Sequence, residues 1–234
     1  MKSSSSLRFR SLVGVRRAVV ACRRCPRLVR FRETARPRAA FKGEKYWRRP
    51  VPGFGDSRAE LVVVGLAPAA QGGNRTGRVF TGDNSGRFLV RALYNAGFAN
   101  QPMSESRDDG LVYDNCYVTA AVKCAPPGDR PSGDEFEKCA PYLDAELRLL
   151  ARAKVVLALG DMAFRAVVAH ERRMGNPLPR ARFVHAASYP LSGGGVLRAS
   201  YHPSPRNTNT GKLTESMLTG LLVEIRGSLR GGGQ

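Results

Sequence analysis

Four short runs of β-branched and apolar residues constrain this chain more than anything else in it: 60–65 (ELVVVG), 116–122 (CYVTAAV), 154–160 (KVVLALG) and 196–201 (VLRASY). They are continuously apolar rather than alternating, the pattern of strands buried on both faces. Strands of that kind run parallel, and parallel neighbours need crossover connections. Helix-like periodicity over 85–97, 134–151 and 161–170 supplies them, with further helices over 11–22 and 212–226. Pro131, Ser132 and Gly133, followed by Asp134, Glu135 and Glu137, mark a helix start, because acidic side chains suit the positive end of the helix dipole. The prediction is an α/β fold, an open doubly wound sheet with helices on both faces. Ligands of such sheets bind beyond the carboxyl ends of the strands, so the loops 66–83, 123–133 and 202–211 should carry function. At 234 residues the chain suits one domain, over 11–228. Residues 1–10, with four consecutive serines, are expected to form a disordered basic tail, and 229–234 a flexible end.

Lys plus Arg number 38 against 19 Asp plus Glu, and residues 1–50 hold 16 of the basic side chains with only Glu33 and Glu44 against them. A field of that sign attracts polyanions, and release of counterions from nucleic acid turns the attraction into binding free energy. A solvated basic tail or an acidic membrane partner would fit the charge as well. No window of about 18 apolar residues exists, so no spanning helix is expected. The run Leu12 to Val15 is broken by Arg16 and Arg17 and is too short for a secretion signal. A cytoplasmic location follows as the expectation, and there five cysteines serve as ligands or packing residues rather than disulfides.

Cys22 and Cys25 form a CxxC, and Cys124 and Cys139 a second pair far downstream. Four thiolates in two pairs suit either tetrahedral zinc or an iron–sulfur cluster, and the lack of a neighbouring histidine leans toward iron–sulfur. Four unrelated buried thiols would give the same spacing. Cys116 opens an apparent buried strand and is read as core.

The loop after the first strand, Gly65 to Gly86, is rich in glycine and small residues, so its backbone can approach a ligand closely. It has neither the Gly-Lys-Ser/Thr of a Walker loop nor the GxGxxG spacing. The string GLAPAAQGGNRTGRVFTGDNSG resembles the first active-site motif of family 5 uracil-DNA glycosylases, and its second half also resembles family 4. The cysteine pattern is similar to both families, which carry a 4Fe–4S cluster. The likeness covers most of the chain, from about residue 18 to about residue 220.

That resemblance implies a three-layer αβα sandwich around a four-stranded parallel sheet, a structural 4Fe–4S cluster on Cys22, Cys25, Cys124 and Cys139, no nucleotide cofactor, and DNA carrying a flipped-out uracil as partner. Phe80 matches the aromatic residue under the extruded base, which needs an apolar face in place of its lost neighbours. Backbone amides near Ala67 and Ala70 would hold another edge of the base, with Asn84 nearby. Family 4 reads the base with an asparagine where this chain has Ala120, and the polar residue other families place in the first motif gives way to Leu66, Ala67 and Ala69. Both departures are typical of family 5, and they predict looser base selectivity, because a site rejects the wrong base through polar groups left unpaired.

Tyr201-His202-Pro203-Ser204-Pro205-Arg206-Asn207 is similar to the second active-site motif of these enzymes. Hydrolysis of an N-glycosidic bond needs stabilisation of the departing base, of the sugar cation, and a water at C1′. By the resemblance His202 donates to the base carbonyl as charge grows there. Asp83 is the nearest carboxylate for the water, with Asn74 and Asn84 as weaker polar candidates; Asp83 could equally cap the helix that follows. The loop Pro203 to Asn209 should enter the duplex, with Ser204, Arg206 and Asn207 touching DNA and Lys212 on phosphate. Gly128, Asp129 and Arg130 are expected on the pocket's other wall. The expectation is a monomeric, monofunctional DNA glycosylase acting on uracil and other damaged bases such as hypoxanthine, ethenocytosine and hydroxymethyluracil. A stricter family 4-like enzyme and a non-catalytic iron–sulfur or zinc nucleic-acid-binding protein are the competing readings.

Overall fold

The structure is a computed structural model that describes residues 8–231. Among these residues six strands form one sheet in the order β1-β3-β2-β4-β6-β5. The inner four, β3 (Cys116–Ala120), β2 (Leu61–Gly65), β4 (Val155–Leu159) and β6 (Val196–Ser200), are all parallel. They are the four strands expected from the apolar runs. Two short antiparallel strands close the edges: β1 (Phe54–Gly55) on β3 and β5 (Ser188–Pro190) on β6. The expected four-stranded parallel sheet is therefore the core of a six-stranded mixed one.

Alternate side chains of the inner strands feed two cores. Leu61, Val63, Cys116, Val118 and Leu157 face α4 (Asn84–Asn95) and α8 (Glu215–Gly231), whose Leu89, Leu93, Leu218, Leu222 and Ile225 complete that layer. Val62, Val64, Val156, Ala158, Leu197 and Ala199 face Leu143 of α5 (Gly133–Leu149) and Phe164 and Val167 of α6 (Asp161–Arg173). Burying both faces is what made the strands continuously apolar. α5 starts on a capping box, Ser132 Oγ accepting from Glu135 N at 3.3 Å and the Glu135 carboxylate from Ser132 N at 2.8 Å.

A third apolar cluster joins the N-terminal segment to α5: Val15 and Val19 of α1 (Leu12–Ala21) and Leu28 of α2 (Pro26–Thr34) pack with Tyr142 and Ala145. The expected disordered tail falls mostly on residues 1–7, outside the described residues. Residues 8–10 do not follow it, since Phe9 lies 6.0 Å from the Tyr142 ring and its carbonyl accepts from Arg148 at 3.0 Å. At the other end α8 runs past the expected boundary at 228 to Gly231, with Leu229 in the core.

Candidate active site

Gly65 lies beside Ala120, and Leu159 beside Ser200, so the inner strands deliver their following loops to one end of the sheet. The loop after β2 takes its shape from Arg78. This buried guanidinium donates to Thr81 Oγ1 at 2.9 Å, Ser104 Oγ at 3.0 Å and both Asp109 oxygens at 2.8 and 2.7 Å. Burial works against charge on Asp109, yet hydrogen bonds from Arg78 and two backbone amides hold its carboxyl below the usual range. The network fixes Phe80 at a φ of 47°, a left-handed conformation that costs a bulky residue about 1–3 kcal/mol. Gly65 makes room for the ring, since a Cβ there would lie 2.7 Å from Phe80 Cε2.

The resulting cavity, of 560 Å³, brings together most of the expected site: Ala67, Ala70, Phe80, Asp83, Asn84, Ala120, His202 and Ser204 all line it. The Phe80 and His202 ring centroids are 6.1 Å apart. The His202 carbonyl accepts from Ser204 N and Asn207 Nδ2, both at 2.8 Å. Gly160, at a φ of +91°, lets β4 pass close behind, where a Cβ would stand 3.1 Å from His202 Cβ. Burial depresses the imidazole to about 4, so the ring is neutral at pH 7. Asp83 lines the cavity and also caps α4, its Oδ1 accepting from Gly86 N at 2.8 Å. Its other oxygen fills the space a Cβ on Gly72 would need. Burial raises the Asp83 carboxyl above the usual range against the backbone hydrogen bonds from Gly86 and Ser85.

Cys22, Cys25, Cys124 and Cys139 line a separate small cavity between α2, α5 and the loop after β3. Arg32, buried beside it, donates from Nη1 to Cys124 Sγ at 3.0 Å and from Nη2 to Cys22 O at 3.1 Å. Burial pushes the Cys124 thiol up to about 11 and the Cys139 thiol up to about 12. Among the described residues no group of three or more His, Cys, Asp or Glu side chains converges closely enough to hold a single metal ion. Cys116 lies fully buried in β3, as expected of a core residue.

The sequence profile of the Uracil DNA glycosylase superfamily matches residues 52–226. The type-5 uracil-DNA glycosylase of Thermus thermophilus is 49% identical over 211 residues, which is 89% of this chain and 94% of that one. That of Pyrobaculum aerophilum is 48% identical over 87% of each chain. The chain belongs to the uracil-DNA glycosylase superfamily, among its type-5 members. A type-4 uracil-DNA glycosylase from Sulfurisphaera tokodaii is more distant, 28% identical over 88% of this chain and 80% of that one.

Within this superfamily member several expected site residues stand elsewhere. Asn74 is fully buried and donates from Nδ2 to Arg32 O at 3.1 Å, away from the cavity, so it is no candidate for handling water. Asn207 uses its side-chain nitrogen to hold the His202 carbonyl, and Pro203 is buried beneath the loop. That loop is not wholly irregular, since Pro205–Thr208 form a helical turn, α7. Arg206 and Lys212 are exposed, Lys212 lying 4.7 Å over the Tyr201 ring. Of Gly128, Asp129 and Arg130, expected together on this wall, Asp129 lines the cavity with Pro126 beside it, and Gly128 and Arg130 do not. Arg38 and Phe41 line it too and were not foreseen, because they sit in a basic segment whose only sequence signal is charge.

Proposed function

We propose that this chain is a monofunctional DNA glycosylase that hydrolyses the N-glycosidic bond of uracil in DNA, initiating base excision repair, and that it accepts other damaged bases. The observation that carries the reading is the Phe80–His202 pair, two rings 6.1 Å apart at the strand ends in a family whose type-5 relatives are named uracil-DNA glycosylases. An extruded base finds an apolar face in Phe80 and a neutral donor in His202, whose hydrogen bond strengthens as the base leaves with negative charge. Asp83, half-buried in the cavity wall with one carboxylate oxygen against Gly72, is suited to orient a water toward C1′ and to favour the sugar cation. Ala120 offers no side-chain polar atom to the base edge, which supports broad selectivity.

The four cysteines fit a 4Fe–4S cluster. They surround a cavity rather than converge on one point, Arg32 donates to one sulfur, and Arg32 Nε is a buried N–H with no partner among the described residues. Such a cluster on Cys22, Cys25, Cys124 and Cys139 would serve here as a cross-link between the N-terminal segment and α5. The deciding experiment incubates purified protein with duplexes containing one uracil, one hypoxanthine or only normal bases, then reveals abasic sites with alkali. Cleavage at uracil and hypoxanthine supports the reading; intact strands throughout, from protein that retains its cluster absorbance, move it to a binding protein without catalysis.

A further inference from the structure

Arg36 to Tyr46 form a strap that precedes the stretch matched by the superfamily profile and is fastened along the active-site loop. One glutamine and one arginine of that loop hold it. Gln71 Oε1 accepts from Arg38 N at 3.2 Å and from the Tyr46 hydroxyl, while its Nε2 donates to Arg36 O at 2.9 Å. Arg75 lies 3.9 Å over the Phe41 ring, pairs with Glu44 at 2.7 Å, and anchors itself on Gln71 O and Gly82 O. The strap is thereby a wall of the cavity that holds Phe80 and His202, to which it presents Arg38 and Phe41.

The charges on this rim are unequal. Asp83 and Asp129 line the cavity and repel phosphate. Arg87 also lines it, but Glu105 neutralises it through two hydrogen bonds of 2.6 and 2.7 Å. Arg38 is exposed, uses only its backbone for hydrogen bonds, and has no carboxylate partner among the described residues. At 560 Å³ the cavity is also within the size range of drug-sized ligands, large enough for a nucleotide rather than a bare base. A flipped nucleotide brings its two flanking phosphates to the rim, where an unneutralised guanidinium can take one of them bidentately.

Building on the glycosylase reading, we propose that the strap is part of the DNA-binding site and that Arg38 clamps a phosphate flanking the extruded nucleotide, with the Phe41 ring as the apolar shoulder beside it. The clamp is a binding device, so it is tested by binding. A duplex carrying a tetrahydrofuran abasic analogue is compared with duplexes in which the phosphate on its 5′ or its 3′ side is a neutral methylphosphonate, using the wild type, Arg38→Ala and Arg38→Lys. Arg38→Ala is expected to weaken binding of the unmodified duplex roughly tenfold, the scale of one charged hydrogen bond, with Arg38→Lys intermediate and thermal unfolding unchanged. One of the two methylphosphonates should weaken the wild type by a similar factor and leave Arg38→Ala unaffected. Losses that multiply at both phosphates, or an Arg38→Ala variant that binds like the wild type, overturn the clamp. Uracil excision by the wild type is assayed alongside and reports on the glycosylase reading separately, since binding to the analogue requires no catalysis.

Discussion

Asp83 sits at the junction of structure and chemistry, because one carboxylate both caps α4 and lines the cavity. The two roles separate by substitution. Asparagine caps about as well as aspartate, so Asp83→Asn should leave stability within a few tenths of a kcal/mol, while Asp83→Ala loses about 1 kcal/mol with the cap. If the carboxylate acts on the water, both variants lose excision; if it only caps, Asp83→Asn keeps full activity. His202 makes the opposite separation, since among the described residues its ring has no hydrogen-bond partner to lose and only its carbonyl is held. His202→Ala should therefore lower kcat by about 10²–10³-fold, the scale of one removed transition-state donor. Its titration also shapes stability. The ring takes a proton near pH 6.5 when unfolded and at about 4 when folded, so between those values the unfolded chain binds more protons and stability falls as the solution is acidified. Denaturant unfolding at pH 4.5 and pH 7 should show a smaller difference for His202→Gln than for the wild type. Equal differences would mean that solvent reaches the ring.

The elements hold the site by a few buried polar links. Lys123, at the end of the turn after β3, pairs with Glu146 of α5 at 2.6 Å, and both are almost wholly buried, with Thr119 Oγ1 bonded to each. The pair ties α5 to the strand end that carries Ala120 and to the loop that carries Cys124. Removing one member of a buried pair strands the other charge, so Glu146→Gln should cost about 3–5 kcal/mol of unfolding free energy, and Lys123→Met with Glu146→Leu should recover most of it. A double variant as weak as the single one would show that the pair's geometry, and not the isolated charge, matters. The elements also show what the sequence could and could not reveal. The four inner strands were legible because burial on both faces writes itself as unbroken apolar runs. The two edge strands were not: Phe54–Gly55 is two residues long, and Ser188–Pro190 contains a proline that fits only an edge, so neither has a period to read. Of the site, Phe80, Asp83 and His202 were found through the motif strings. Arg38 and Phe41 had no motif, and their place in the cavity depends on Gln71 and Arg75 fastening a strap across more than 30 residues of chain.

At the scale of the whole molecule, charge and fold answer to different parts of the chain. The sheet and its two helical layers are built largely from residues beyond 50, whereas the first 50 residues hold 16 of the 38 basic side chains. Many of those are already committed: Arg23 to Glu33, Arg27 to Glu135, and Arg32 to Cys124. Arg16, Arg17 and Arg24 are exposed and have no ion pair among the described residues. If this face meets the DNA backbone, as is proposed for the pocket mouth, each lost phosphate contact should flatten the dependence of log K on log salt by about 0.9. The variants Arg17→Ala, Arg24→Ala and Arg206→Ala are therefore compared with the wild type on undamaged duplex across a salt series. The expected outcome is a slope reduced by about one for each variant, with kcat at saturating uracil duplex unchanged for the two N-terminal ones. A slope reduced only by Arg206→Ala would confine DNA to the loop after β6 and leave the N-terminal charge as long-range attraction, visible in association rate at low salt and absent at high salt.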